Sequence, residues 1–142
     1  MFAFNKQLWD FGTQIEDKVK PLLNKQFDCD FKKSDDIWDV LDFHDNDKKI
    51  ICEIKGRKIN SNEYDTTIIP MNKVTNGLMK VEEGFKVYFV FVFLDKTLYC
   101  ELTEDLEYQV KLTGTNYIKH ALIKVDSLHP LPQGAAQERC AA

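Results

Sequence analysis

The sequence has no long apolar run. No stretch approaches the roughly 20 residues that a membrane-spanning helix needs, which predicts that a membrane is not a partner. The opening residues, MFAFNKQLWDFG, lack the basic-then-apolar pattern of a secretion signal. This predicts an intracellular, non-secreted protein. The four cysteines, Cys29, Cys52, Cys100 and Cys140, form no CxxC pair, so no zinc site is expected. A reducing compartment fits them. Basic charge is not in excess either: 19 Lys and Arg stand against 23 Asp and Glu, a net charge of −4. That balance excludes a protein that coats nucleic acid by bulk charge, but not an enzyme that touches a short stretch of it. His44, His120 and His129 show no ligand spacing. The acidic stretch from Asp28 to Asp47 lacks the glycine and terminal glutamate of a calcium-binding EF-hand loop. No internal repeat is present.

The 142 residues suit one domain with a real core, and ten phenylalanines predict that the core is Phe-rich. Residues 4 to 25 carry Leu8, Phe11, Ile15, Val19, Leu22 and Leu23 at spacings of three and four, which predicts a helix. Thr13 with Glu16 would form a capping box and start the main helix there. Pro21 would kink or end it. Residues 27 to 34 alternate and then turn. IWDVLDF (37 to 43), the polar cluster HDNDKK and IICEIKG (50 to 56) read together as a β-hairpin. Residues 57 to 70 read as an exposed loop, and Met71 to Glu83 as a helix stopped by Gly84. KVYFVFVFL (86 to 94) is too apolar for a strand with one wet face, so it is expected to be central and covered on both sides. Asp95-Lys96 is a turn, and TLYCEL is the returning strand. Residues 107 to 125 hold further strands, with Gly114 in a turn and HALIKV as the last strand. The expected fold class is α/β, a single domain over residues 1–128 with a central mixed sheet flanked by helices. Residues 129–142 are expected to be a flexible tail.

Glu53 and Lys55 are two apart on a strand, so they share one face. Charges on a strand otherwise made of Ile50, Ile51, Cys52 and Ile54 are costly without partners or a task. The facing strand supplies Asp39 and Asp42. With an even loop around Asn46-Asp47, Val40 faces Glu53 and Trp38 faces Lys55. Asp42 then lies on the diagonal from Glu53, roughly 7–8 Å away between Cα atoms. An odd loop selects Asp39 instead, because a slip of one residue flips every side chain. Two carboxylates and a lysine suit phosphodiester hydrolysis. The carboxylates offer hard oxygen ligands for Mg²⁺ or Mn²⁺, the metal polarises the phosphate and acidifies a bound water, and the lysine positions that water or stabilises charge in the transition state.

Asp42 followed by Glu53-Ile54-Lys55, in a hairpin after an N-terminal helix, resembles the D…ExK core of PD-(D/E)XK nucleases. LDF, EIKGR, YDTTIIPMNKV and the YFVFVF strand together resemble small PD-(D/E)XK-type proteins of large DNA viruses, over roughly residues 13 to 102. The resemblance implies a restriction-endonuclease-like core and a hydrolase acting on nucleic acid, with DNA favoured. A viral origin would place it in the host cytoplasm or nucleus. It also implies that Glu16, on the preceding helix, joins the site, and that Lys73, on the following helix, borders it. Two departures stand out: no proline precedes Asp42, and the charge is acidic. Cutting both strands of a duplex would favour a homodimer.

Plainer readings stand beside these. Glu53 and Lys55 also suit a solvated strand face, and Glu16 suits an exposed cap partner. Arg57 and Lys58 read as solvated loop charges or as phosphate contacts for nucleic acid. Tyr88, Phe89, Phe91 and Phe93 read as core rather than as a base-stacking platform. A nuclease fold kept without activity, binding nucleic acid or a protein, is the alternative function. An unrelated α/β domain is the third, should the hairpin register separate Asp42 from Glu53.

Overall fold

The computed structural model of the chain describes residues 6–33, 41–113 and 118–131. The elements run α1 (Lys6–Phe27), β1 (Lys32–Lys33), β2 (Phe43–Asp45), β3 (Ile50–Gly56), β4 (Thr66–Pro70), α2 (Met71–Glu82), β5 (Lys86–Val92), β6 (Thr97–Leu102), β7 (Gln109–Thr113) and β8 (Ile118–Lys124). A single 3-10 turn at Val125–Ser127 leads to β9 (His129–Pro130). Six strands form a mixed sheet in the order β1-β2-β3-β5-β6-β9, with β3 and β5 parallel and the other neighbours antiparallel. A separate antiparallel sheet has the order β4-β8-β7. The architecture is α/β with a mixed sheet and two helices, as expected; the second sheet was not.

Period-two alternation gives the main sheet two apolar faces. Ile51, Val87, Phe89 and Phe91 point to the side of α2 and the second sheet, where Ile69, Val74, Ala121 and Ile123 close the core. Cys52, Ile54, Tyr88 and Val90 point to the other side, against Val19 and Leu23 of α1 and against Phe31. Strand β5 is therefore central and covered on both faces, and Phe89, Val90 and Phe91 are wholly buried. At the end of β3, Gly56 lets α1 approach. An added Cβ there would meet Phe11 Cε2 at 2.9 Å and Ile15 Cγ1 at 3.3 Å.

Several boundaries differ from expectation. Helix α1 runs through both Thr13 and Pro21. Pro21 deprives the Asp17 carbonyl of its intrahelical donor. Both residues lie on the exposed side of the helix, where water can take the place of that donor. The segment read as a loop over 57 to 70 contains β4, whose alternating burial was masked by its brevity. Helix α2 ends as expected: Glu83 caps it and Gly84 follows at φ 97°, in the left-handed region that favours glycine. HALIKV does form a strand, but β9 follows it, and Leu131 is only 3% exposed. Residues 129–131 thus belong to the folded body rather than to a tail, because Leu131 reaches the apolar cluster on the α1 side. Most of the expected strand over 37 to 43, Asp39 included, and the turn at Gly114 lie outside the described residues.

Candidate active site

Strands β2 and β3 pair as Phe43↔Cys52, His44↔Ile51 and Asp45↔Ile50. Four residues, Asn46 to Lys49, close the hairpin. The Asp45 carboxylate accepts the N–H groups of Asp47 and Lys48 within the turn and that of Asp30 from outside it. These bonds hold its pKa below the usual carboxylate range. Lys49 completes the turn at φ 56°. The loop is even, as expected, but the register is shifted by two from the expected one. A shift of two preserves the faces, so Asp42 arrives beside Glu53 rather than on its diagonal. His44, expected in the turn, is instead the middle residue of β2.

Glu53 is 1% exposed. Its carboxylate collects three partners from three parts of the chain. The N–H of Asp42 donates to Oε1 at 3.2 Å, the Lys73 ammonium of α2 stands 3.3 Å from Oε1, and the Lys55 ammonium stands 3.6 Å from Oε2. Lys55 is two residues along the same strand; Lys73 lies on the third residue of α2, which packs on this face. Burial raises the Glu53 pKa and the Asp42 charge adds to it, while Lys73 and Lys55 pull the other way; the balance pushes it up to about 8. A carboxylate taken out of water and set beside a second carboxylate has need of a cation.

Glu16 sits at the margin of this cluster. Its Oε2 lies 3.0 Å from the Lys33 ammonium of β1. The charges of Glu16 and Asp42 both act on Lys33, so this lysine stands between the helix and the Asp42 corner. Sequence reasoning missed Lys33; the only signal was the Lys32-Lys33 pair ending an alternating run. Among the described residues, no three of His, Cys, Asp and Glu gather as a metal-holding group. Glu16 is therefore engaged by Lys33 and is not grouped with Asp42 and Glu53.

The two residues expected to contact nucleic acid part company. Arg57 is not a solvated loop charge. Its guanidinium donates to the Ile68 carbonyl and its backbone N–H donates to the Val92 carbonyl at 2.8 Å. Burial lowers its pKa. It fastens the end of β3 to β4. Lys58 is exposed, with its ammonium 4.7 Å from the centre of the Phe11 ring. Cys52 and Cys100 are core residues, 0% and 5% exposed. Burial pushes both thiols up, Cys100 to about 12, so neither is poised as a nucleophile.

Two clefts lie away from the Glu53 cluster. One of about 920 Å³ is lined by Ser61, Tyr64, Lys96, Lys124 and Leu128 among others, and one of about 550 Å³ lies at the acidic turn around Asp45. Neither contains Glu53, Lys55 or Lys73; Glu53 is buried on the α2 side of the sheet, with Lys55 and Lys73 partly exposed beside it. No described helix is long and apolar enough to cross a membrane. No family model, curated protein or solved structure matches the chain.

Proposed function

We propose that this chain is a metal-dependent nuclease of the PD-(D/E)XK type, with a restriction-endonuclease-like core, hydrolysing phosphodiester bonds in nucleic acid, DNA by preference. The observation that carries this reading is the meeting of Asp42, Glu53, Lys55 and Lys73, with Glu53 buried and flanked by a second carboxylate. The order hairpin, helix, parallel strand supports it, because it sets Glu53 and Lys55 on β3, with Asp42 just ahead of β2 beside them, and brings the helix over them.

The donor set fits Mg²⁺ or Mn²⁺. Asp42 and Glu53 would hold the ion through carboxylate oxygens, and a hard ion of this size is content with one or two carboxylates plus water and substrate phosphate. When bound, the metal supplies Lewis-acid polarisation of the phosphate and a more acidic water. The chain's own residues do the rest. Lys55 is 29% exposed at its side chain, enough to reach a phosphate oxygen or an attacking water and stabilise developing negative charge. Lys73 draws the Glu53 pKa down against its burial and holds the carboxyl group in place. Lys33 keeps Glu16 and the Asp42 corner together. Lys58 offers exposed positive charge for backbone phosphates.

The alternative of a nuclease fold without activity draws on one observation. Lys73 and Lys55 already answer the Glu53 carboxylate, and no third acidic ligand joins it among the described residues. Incubation with plasmid, linear and single-stranded DNA in Mg²⁺ or Mn²⁺, beside Lys55→Ala and Glu53→Gln, separates the two. Metal-dependent cleavage that both substitutions abolish is the expected result. Binding without cleavage on every substrate would establish the inactive binding module instead.

A further inference from the structure

Strand β7 is exposed along most of its length, and among the described residues it pairs with β8 alone. No other described strand covers its outer edge, whose backbone donors and acceptors are a template for another strand. Lys111 is the one charged side chain of the strand. Of the six exposed large hydrophobic residues among those described, Val110, Leu112 and Ile118 belong to the β7–β8 pair, each at least half exposed. Val110 stands opposite Ala121, which is buried in the α2-side core. Leu106 and Tyr108 pack partly on that same core. The segment thus begins on the core and ends with two apolar side chains overhanging it.

The sequence from Leu106 to Thr113, LEYQVKLT, alternates apolar and polar residues, and it is self-complementary about Gln109. Lay two copies antiparallel with Gln109 opposite itself. Val110 then meets Tyr108 of the other copy and Leu112 meets Leu106, which carries the overhang onto the partner's covered apolar face. On the polar face Lys111 meets Glu107, and symmetry makes this ion pair twice. Two other registers do worse. Centring on Lys111 sets two lysines face to face, and a slip of one residue sets apolar side chains against polar ones.

We propose that the outer edge of β7 is the docking edge for a second copy of this chain, joined antiparallel about Gln109 with Lys111 opposite Glu107. The two three-stranded sheets would then run on as one six-stranded sheet across a twofold axis. This inference does not depend on the nuclease reading.

Sedimentation velocity and light scattering of the full chain over a wide concentration range test it. The unaltered chain should dimerise. K111E sets two acidic residues opposite each other twice, and E107K does the same with two basic ones. Each alone should weaken self-association about tenfold or more. Both positions are solvent-exposed, so at concentrations where the unaltered chain is monomeric neither substitution should lower the melting temperature. Mixed together, K111E and E107K satisfy both ion pairs and should form a heterodimer. A chain that stays monomeric throughout would overturn the proposal. So would a dimer indifferent to both substitutions, or two monomeric variants that fail to associate on mixing.

Discussion

Lys73 sets its ammonium 3.3 Å from Oε1 of Glu53, the same oxygen that accepts the Asp42 N–H. A helix, a bend and a strand thus converge on one buried atom. Removing the lysine leaves Glu53 with less compensation for its lost hydration. Lys73→Met should destabilise the fold by about 2 kcal/mol, near the middle of the range for a charged hydrogen bond in a protected site. Urea denaturation would measure it. An unchanged midpoint would show that Lys73 does not support Glu53.

Arg57 and Lys58 are adjacent but should behave differently. Arg57→Ala removes the donor to the Ile68 carbonyl and the packing of the stem. It should cost about 2 kcal/mol of stability. Lys58→Ala loses only an exposed cation–ring contact, worth about 0.5–1 kcal/mol. If Lys58 contacts a phosphate, its removal should reduce the salt dependence of DNA binding by about one counterion. Thermal melts and binding titrations at several salt concentrations distinguish the two. Equal melting temperatures for both variants would be inconsistent with the fastening role of Arg57.

Gly77 lies on the buried side of α2. A Cβ there would collide with Leu102 Cδ2 and fall 3.4 Å from Val87 Cγ1. Leu102 is 1% exposed, so it has little room to turn aside. Overpacking costs about 1–3 kcal/mol, against about 1 kcal/mol gained in helix propensity. Gly77→Ala should therefore destabilise, by about 1 kcal/mol. A calorimetric melt showing stabilisation would mean that the core at Leu102 yields more readily than its burial implies.

The acid limb of stability should carry the mark of two aspartates that flank or form turns, Asp45 and Asp95. The Asp95 carboxylate accepts both the N–H and the hydroxyl of Ser61, each at 2.7 Å. The bonds to Asp95 and Asp45 hold both pKa values below the unfolded carboxylate value of 3.8. A depressed carboxylate pKa means that the unfolded chain takes up protons first as the pH falls. The stabilisation is complete above that unfolded value and is lost as the pH drops through the folded one. Asp95→Asn should therefore lower stability at neutral pH and flatten its decline in acid. Melting temperatures recorded between neutrality and strong acid check this; parallel curves for the variant and the unaltered chain would refute it.

The sequence made the centre of the fold legible because its signals there are dense. Lys86–Val92 could be nothing but an inner strand, and Gly84 marked the end of α2. Asp42 and Glu53 were readable as neighbours because parity, not exact register, decides which face a side chain takes. What escaped detection depended on contacts distant in sequence. The Thr66–Pro70 strand is recognisable only through β8, its partner more than fifty residues on. Arg57 looked solvated because its acceptor, the Ile68 carbonyl, carries no side-chain signal. Glu16 was legible as a residue on the right helix, but not its engagement by Lys33, which comes from a two-residue strand. Pro21 misled because propensity alone does not show which side of a helix meets water.

The parallel pairing of β3 with β5 has a consequence for how the molecule comes into being. The two strands are separated by the whole excursion through β4 and α2, so their union must wait for a large loop to close, unlike the local β2–β3 and β5–β6 hairpins. Lys73 lies on that excursion and Glu53 on its near bank. Both residues precede β5, whose pairing with β3 helps to bury Glu53, so the ion pair is expected to reach its buried form with that closure. Amide protons of β3 and β5 should be the last to exchange with solvent, and the chemistry of the chain should appear together with that protection rather than ahead of it.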